Sequence, residues 1–204
     1  MHRYPRYVTG FIPVLVLVAT ALAVKVGDPA PGFSAVDSHG KTRKLSDYKG
    51  RFVVLEWHNR DCPYARKHYD SGNMQRLQKK WTDKGVAWLT VISSGPGTQG
   101  FVTPSQEDQY LEKMHASPTA VLMDPAGTLG RLYDAKTTPQ MFVIDPQGTL
   151  IYQGAVDDRS STNQKDLDGA NNYVDAALSE AMANKPVTEP VTRPYGCSVK
   201  YKHY

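Results

Sequence analysis

Cys62 and Cys197 are the only thiols of this 204-residue chain. Pro63 follows Cys62 directly, and proline favours the first helical position, where its missing N–H would have no partner anyway. Cys62 is therefore expected to cap a helix. Its sulfur would face unpaired backbone N–H groups and the positive end of the helix dipole, both of which favour thiolate over thiol. A free thiol of pKa about 8.5 is only about 3% thiolate at pH 7, and lowering that value by about two units makes it mostly thiolate, for roughly 2.7 kcal/mol. Arg60, Arg66 and Lys67 add positive charge nearby, and Asp61 opposes them. A second element with chemical meaning is Thr137-Thr138-Pro139-Gln140, just ahead of an apolar run. Proline cannot donate to a sheet ladder, so it belongs at the start or edge of a strand.

The elements that must position these residues follow from the apolar pattern. Residues 52–57 form a mostly apolar run fit for a buried central strand, and 86–92 form another. Between them a helix is expected over 63–84, interrupted or bent at Gly72. A Gly/Pro/Ser-rich loop covers 94–104, and Ser105-x-x-Asp108 opens a helix to about residue 116. A strand at 120–123, a short helix at 128–135 and a hairpin of 141–145 and 149–156 around Pro146-Gln147-Gly148 come next, then a helix over 167–184. Residues 24–46 read as an extended lead-in with a turn at Ser38-His39-Gly40 between short strands. Alternation of strand and helix implies an α/β sandwich with parallel strands at the centre and an antiparallel hairpin at one edge, the thioredoxin-type arrangement.

Bulk properties place this domain. With 24 basic and 20 acidic side chains the net charge is +4, and no Lys/Arg run exceeds two, so the footprint of a nucleic-acid binder is missing. Residues 1–23 read as a signal peptide: Arg3 and Arg6 precede a short apolar stretch, 11–23, and Ala21-Leu22-Ala23 supplies a small-x-small cleavage site. That stretch falls short of the about 20 residues a membrane span needs. Cleavage leaves a redoxin domain at 24–185 and a proline-bearing tail at 186–204, periplasmic or secreted and not embedded in a membrane. Export places both cysteines where disulfides persist.

The segment Glu56-Trp57-His58-Asn59-Arg60-Asp61-Cys62-Pro63-Tyr64-Ala65-Arg66-Lys67-His68-Tyr69 resembles the active-site stretch of peroxiredoxin-like redoxins, the alkyl hydroperoxide reductase/thiol-specific antioxidant group. Thr138-Pro139-Gln140-Met141-Phe142-Val143-Ile144-Asp145, Gly154-Ala155-Val156-Asp157-Asp158 and Tyr195-Gly196-Cys197-Ser198-Val199-Lys200-Tyr201 resemble its later blocks. The resemblance implies a thioredoxin-like sandwich, a central mixed sheet flanked by helices with an N-terminal hairpin extension. It also implies a redox role for Cys62 and a cis peptide at Pro139, with Thr138 and Pro139 orienting substrate. Two departures stand out. Peroxiredoxins carry Pro-x-x-x-Thr-x-x-Cys, where this chain has Leu55 and Asn59; thioredoxins carry Cys-x-x-Cys, where it has Ala65. Asn59 is the candidate to supply the hydrogen bond that the threonine gives to peroxide, and Pro63, Arg66 and Lys67 are candidates to support the thiolate.

Cys197 is then the one candidate resolving partner within the chain. Twelve extended residues span about 35 Å at about 3.1 Å per residue, enough to cross a domain whose radius of gyration is about 16 Å. Attack of Cys62 on a peroxide would give a sulfenic acid that Cys197 condenses to a disulfide; attack on a partner's disulfide would give a mixed disulfide that Cys197 resolves. The expected partners are a thiol or disulfide protein or a small peroxide, with an external thiol reductant and no cofactor. The alternative is a non-catalytic binding or structural protein with a static Cys62–Cys197 bridge, since closing a loop of 135 residues (197 minus 62) stabilises by roughly 5 kcal/mol on the chain-entropy model. No metal is expected, because a helix does not set Cys62 and His68 on one face. Lys67 and His68 read as solvated helix residues, His58 as a loop residue, Asp157-Asp158 as a turn without a role, and Trp57, Trp81 and Trp88 as core aromatics.

Overall fold

The computed structural model describes residues 24–202. The expected signal peptide at 1–23 lies outside the described residues. Among those described, the chain forms a seven-stranded mixed sheet in the order β2-β1-β5-β4-β3-β7-β8. These strands are β1 (Ser34–Asp37), β2 (Thr42–Lys44), β3 (Val53–Trp57), β4 (Ala87–Ile92), β5 (Ala120–Met123), β7 (Gln140–Ile144) and β8 (Leu150–Gly154). The centre β3-β4-β5 is parallel, with Leu55 beside Leu89 and Val91 beside Leu122. The β7–β8 hairpin adds antiparallel at one edge and the β1–β2 hairpin at the other. Every residue of β3 and β4 is buried, because helices cover both faces of a parallel centre.

The helices are α1 (Pro63–Asp70), α2 (Asn73–Thr82), α3 (Pro104–Lys113), α4 (Thr128–Leu132) and α5 (Tyr173–Met182). The single helix expected over 63–84 is broken at Gly72, whose φ of +72° is open to glycine at little cost and closed to a continuing helix. Beyond it α2 buries Met74, Leu77, Gln78 and Trp81, the i, i+3, i+4, i+7 stripe of a helix lying on a sheet. The last helix is shorter than expected: Gln164–Leu167 is an isolated 3-10 turn, and α5 starts only where the Asn172 side chain accepts from the Asp175 N–H. Period-two alternation sends Val54 and Glu56 to the α1/α2 face and Val53, Leu55 and Trp57 to the α4 face. Trp57, Trp81 and Trp88 are buried core aromatics. Among the described residues no helix is long and apolar enough to cross a membrane.

After α5 the chain does not leave the domain. Pro190 and Thr192 bond the backbone of Gln153 on the outer edge of β8, where the Thr192 hydroxyl also accepts from the Ala155 N–H at 2.9 Å. The tail then forms β9 (Cys197–Ser198), which pairs antiparallel with β6 (Thr137–Thr138) so that Cys197 opposes Thr138. It continues to Tyr201, whose hydroxyl donates to the Ala135 carbonyl at 2.6 Å.

Candidate active site

Cys62 is the residue ahead of α1, in extended conformation (φ −80°, ψ 121°), with Pro63 at the first helical position as expected. Its N–H donates to the Asn59 carbonyl and its carbonyl accepts from the Arg66 N–H, so the loop and the first helical turn both fix it. The Thr138–Pro139 bond is cis, and the Thr138 carbonyl accepts the Cys62 S–H at 3.0 Å. From the other side the Cys197 N–H donates to the Cys62 sulfur at 3.4 Å. The nucleophile candidate, the proline turn and the tail cysteine therefore meet at one place, drawn from α1, β6 and β9. Both cysteines are free thiols. Cys62 is 0% exposed and Cys197 half-buried.

The two sulfurs are electrostatically unequal. Burial pushes the Cys62 thiol up, but hydrogen bonds to the thiolate from the Cys197 thiol, from the Ala65 and Cys197 N–H groups and from the Thr138 hydroxyl outweigh it and hold Cys62 below the ordinary cysteine value. The Ala65 donor is the contribution of the helix start. Cys197 moves the opposite way, to about 11, through burial, through the bond in which its proton is held by Cys62, and through the charge of Cys62.

The remaining sequence candidates lie elsewhere. The Asn59 amide oxygen accepts from the Asp61 N–H at 2.9 Å, and its side chain packs so closely on Gly100 that a Cβ there would overlap it. Arg66 is exposed and pairs with Asp70 one turn on, Nε to Oδ2 3.3 Å. Lys67, expected in solvent, is 1% exposed; its Nζ donates to the Arg159 carbonyl at 2.6 Å and to the Tyr195 hydroxyl at 3.1 Å. His68, also expected in solvent, is 0% exposed, with Nε2 3.2 Å from the same hydroxyl. Both are covered because the tail lies over α1.

Sequence reasoning missed three groups. Asp157, given no role, is buried and accepts the Tyr195 O–H. Glu56 is a fully buried carboxylate on β3 that accepts from Trp88 Nε1 (2.7 Å), the Tyr69 hydroxyl (2.8 Å), Gln78 Nε2 (3.2 Å) and Thr90 Oγ1 (3.4 Å). Burial raises its pKa against those four donors. His58, between Glu56 and the thiol loop, is buried too and faces Glu107 on α3, Nε2 to Oε1 3.5 Å. Burial and the Arg60 charge push His58 down to about 3, and burial pushes Glu107 up to about 7. A charged residue in the middle of a wholly apolar central strand was the available signal, since such a group must find partners.

Comparison with known proteins bears on the family and the fold. The family model described as AhpC/TSA matches residues 26–153. "Peroxiredoxin Bcp" of Bacillus subtilis (strain 168) is 40% identical over 151 residues, which cover 64% of this chain and 84% of that protein. "Thiol-disulfide oxidoreductase ResA" of Bacillus thuringiensis subsp. konkukian (strain 97-27) is 28% identical over 130 residues, covering 64% and 69%. The crystal structure of the thioredoxin domain of a thiol-disulfide oxidoreductase from Bacteroides vulgatus superposes with a TM-score of 0.51 at 17% identity, over 72% of this chain and 98% of that one. The fold is thioredoxin-like, and the chain belongs to the AhpC/TSA family.

Proposed function

We propose that this protein is an exported thiol oxidoreductase that exchanges disulfides through Cys62 and resolves the product with Cys197. The observation that carries the reading is the unequal pair: two cysteines joined by a hydrogen bond to the Cys62 sulfur, one held below the ordinary cysteine value and one pushed up to about 11. Cys62 thiolate attacks one sulfur of a partner's disulfide; a Cys62–partner S–S bond forms and the partner's second sulfur leaves as thiolate, taking up a proton. Two of the three influences that raise Cys197, its bond to the Cys62 thiolate and the charge of that thiolate, then disappear. Cys197 loses its proton and attacks Cys62, forming the internal disulfide and releasing the partner's first sulfur as a thiol. Two electrons pass to the partner, and an external thiol reductant restores the dithiol. Export rests on the residue pattern of positions 1–23.

Peroxide as the oxidant is the second reading, favoured by the 40% identity to a peroxiredoxin. There the O–O bond breaks as Cys62 becomes a sulfenic acid and an alcohol or water leaves; Cys197 condenses with the sulfenic acid, releasing water. Disulfide exchange comes first because the Asn59 side chain is buried and packed on Gly100, whereas the groups that bond the Cys62 sulfur are Thr138 and Cys197.

The test is to challenge the reduced protein with a model disulfide and with hydrogen peroxide, counting thiols and locating adducts by mass spectrometry. The expected result is a Cys62–Cys197 disulfide in the parent, a trapped mixed disulfide in Cys197→Ser and no reaction in Cys62→Ser. Oxidation faster by peroxide than by disulfide moves the assignment to a peroxidase. A bridge that resists mild reductant, with neither reaction, overturns both in favour of a static scaffold.

A further inference from the structure

Next to the site the tail is held by a short ribbon, extended beyond β9 by the Val199 N–H to the Lys136 carbonyl and the Gly95 N–H to the Lys200 carbonyl, both 2.9 Å. β9 and β6 are two residues each, and an isolated two-stranded ribbon is marginal in water at any length. Pro194 and Gly196 flank the one large side chain at this point, Tyr195, which reaches a buried polar cluster against α1. The Tyr195 hydroxyl donates to Asp157 Oδ1 and accepts from Lys67 Nζ at 3.1 Å. Asn73 Nδ2 donates to His68 Nδ1 at 2.8 Å, which places the His68 proton on Nε2, and that N–H also points at the Tyr195 hydroxyl, 3.2 Å away. The Tyr195 hydroxyl thus makes three bonds, accepting two from α1 and donating one to the segment after β8. Lys67 Nζ further lies 5.0 Å from the centre of the Tyr195 ring.

The cluster is costly for a surface helix. Lys67, His68 and Asp157 are each no more than 1% exposed, and burying ionisable groups costs several kcal/mol, roughly, unless they are paired. Plain adhesion of a tail is achieved more cheaply by apolar contacts; what a charged, directional cluster adds is a fixed position. The same helix that starts at Cys62 carries Lys67 and His68 one to two turns further on, so the clamp and the nucleophile share one rigid body.

We infer that Tyr195, clamped by Lys67, His68 and Asp157, is a positioning residue that sets Cys197 on Cys62 and closes the Cys62 sulfur to outside reagents until the tail lifts. This rests on the proposed roles of the two cysteines. It goes beyond them in assigning the register of the pair to a side chain that touches neither sulfur. Because Cys62 is 0% exposed with the tail in place, any substrate must meet a lifted tail, and resolution must follow its return.

The test measures two rates on the full chain. The first is alkylation of Cys62 by iodoacetamide in a Cys197→Ser background, with and without Tyr195→Phe. The second is the resolution step alone, the first-order conversion of the Cys62 mixed disulfide to the Cys62–Cys197 disulfide at saturating model disulfide, with both cysteines present. Loss of the hydroxyl is expected to speed the first about tenfold and slow the second about tenfold, which corresponds to about 1.4 kcal/mol. General loosening of the fold would not drive the two rates in opposite directions. If Tyr195→Phe does not fold, Asp157→Asn carries the same two readouts. Either rate staying within twofold of its parent overturns the inference. A parent that forms no internal disulfide at all instead overturns the proposed function beneath it.

Discussion

Replacing Gly196 by alanine tests whether the tail is the cover of the Cys62 sulfur. Gly196 has a φ of +138°, where L side chains are strained, and a Cβ added there would lie 2.7 Å from the Thr138 carbonyl carbon and 3.3 Å from Pro139 N, overlapping the Thr138 carbonyl oxygen as well. Those neighbours are backbone atoms of the loop that joins β6 to β7, inside the domain, so the tail is the part that moves. Backbone strain of this kind costs about 1–3 kcal/mol, and forced overpacking about 1–3 kcal/mol more. At the lower end of each, the docked tail is weakened by about 2 kcal/mol, close to thirtyfold in its closing equilibrium. Where opening and closing are fast, a buried thiol reacts in proportion to the open fraction, as amides do in hydrogen exchange. Alkylation of Cys62 in Gly196→Ala, measured in the Cys197→Ser background against iodoacetamide, should therefore run about thirty times faster than without it. Circular dichroism and the main melting transition should stay close to the parent, because no residue of β9 is among the buried core residues and Val199 beside it only packs against one cluster from outside. An unchanged alkylation rate in a folded variant would refute the reasoning, since the sulfur would then be covered by something other than residues 195–198.

Ultraviolet absorbance of the thiolates against pH should show two steps in the reduced protein, one below the ordinary cysteine value and one near 11. Cys197→Ala should leave a single step displaced upward from the lower of these, because the thiol that donates to Cys62 is gone; a step that stays or falls contradicts the assignment of Cys62 as the stabilised thiolate. Glu107, raised to about 7 from its ordinary 4.5, binds its proton more tightly folded than unfolded. Its contribution is complete below about pH 4.5 and lost as pH rises through about 7, a change of about 3 kcal/mol. Glu107→Gln should flatten that fall in urea titrations at pH 5 and pH 8, and parallel losses in variant and parent would show that the carboxyl titrates as it does in water.

What could be read from the residues alone was what short-range chemistry announces. Pro63 marks a helix start whatever surrounds it, so Cys62 was placed at the end of a strand and loop and ahead of α1. The apolar runs read at 52–57, 86–92 and 141–145 became β3, β4 and β7, each within a residue of its expected bounds, because a covered sheet needs them. Gly72 was legible as a break for the same local reason. The misreadings around the tail have one cause. Lys67 and His68 carry side chains that prefer water, and nothing within ten residues contradicts that preference; the partner that buries them, Tyr195, lies 128 and 127 positions away. Asp157 looked like a turn residue for want of the same partner. Polar pairings at that distance leave no period and no spacing in a single chain, whereas a charged residue inside an apolar strand does leave a mark, and Glu56 could have been read from it.

The tail thus decides more than its two paired residues imply. A reading based on reach established only that Cys197 can arrive at Cys62, and arrival alone is equally compatible with a static bridge. The proposed function draws instead on the quality of the seat. A permanent covalent link would make a clamp superfluous, because the bond itself would hold the tail. Here Tyr195 is held by three polar groups, and Gly196 lets the backbone pass against the Thr138 carbonyl, so the tail is seated while both sulfurs are still thiols. A seat that works without the bond is what a bond that forms and breaks in each turnover requires.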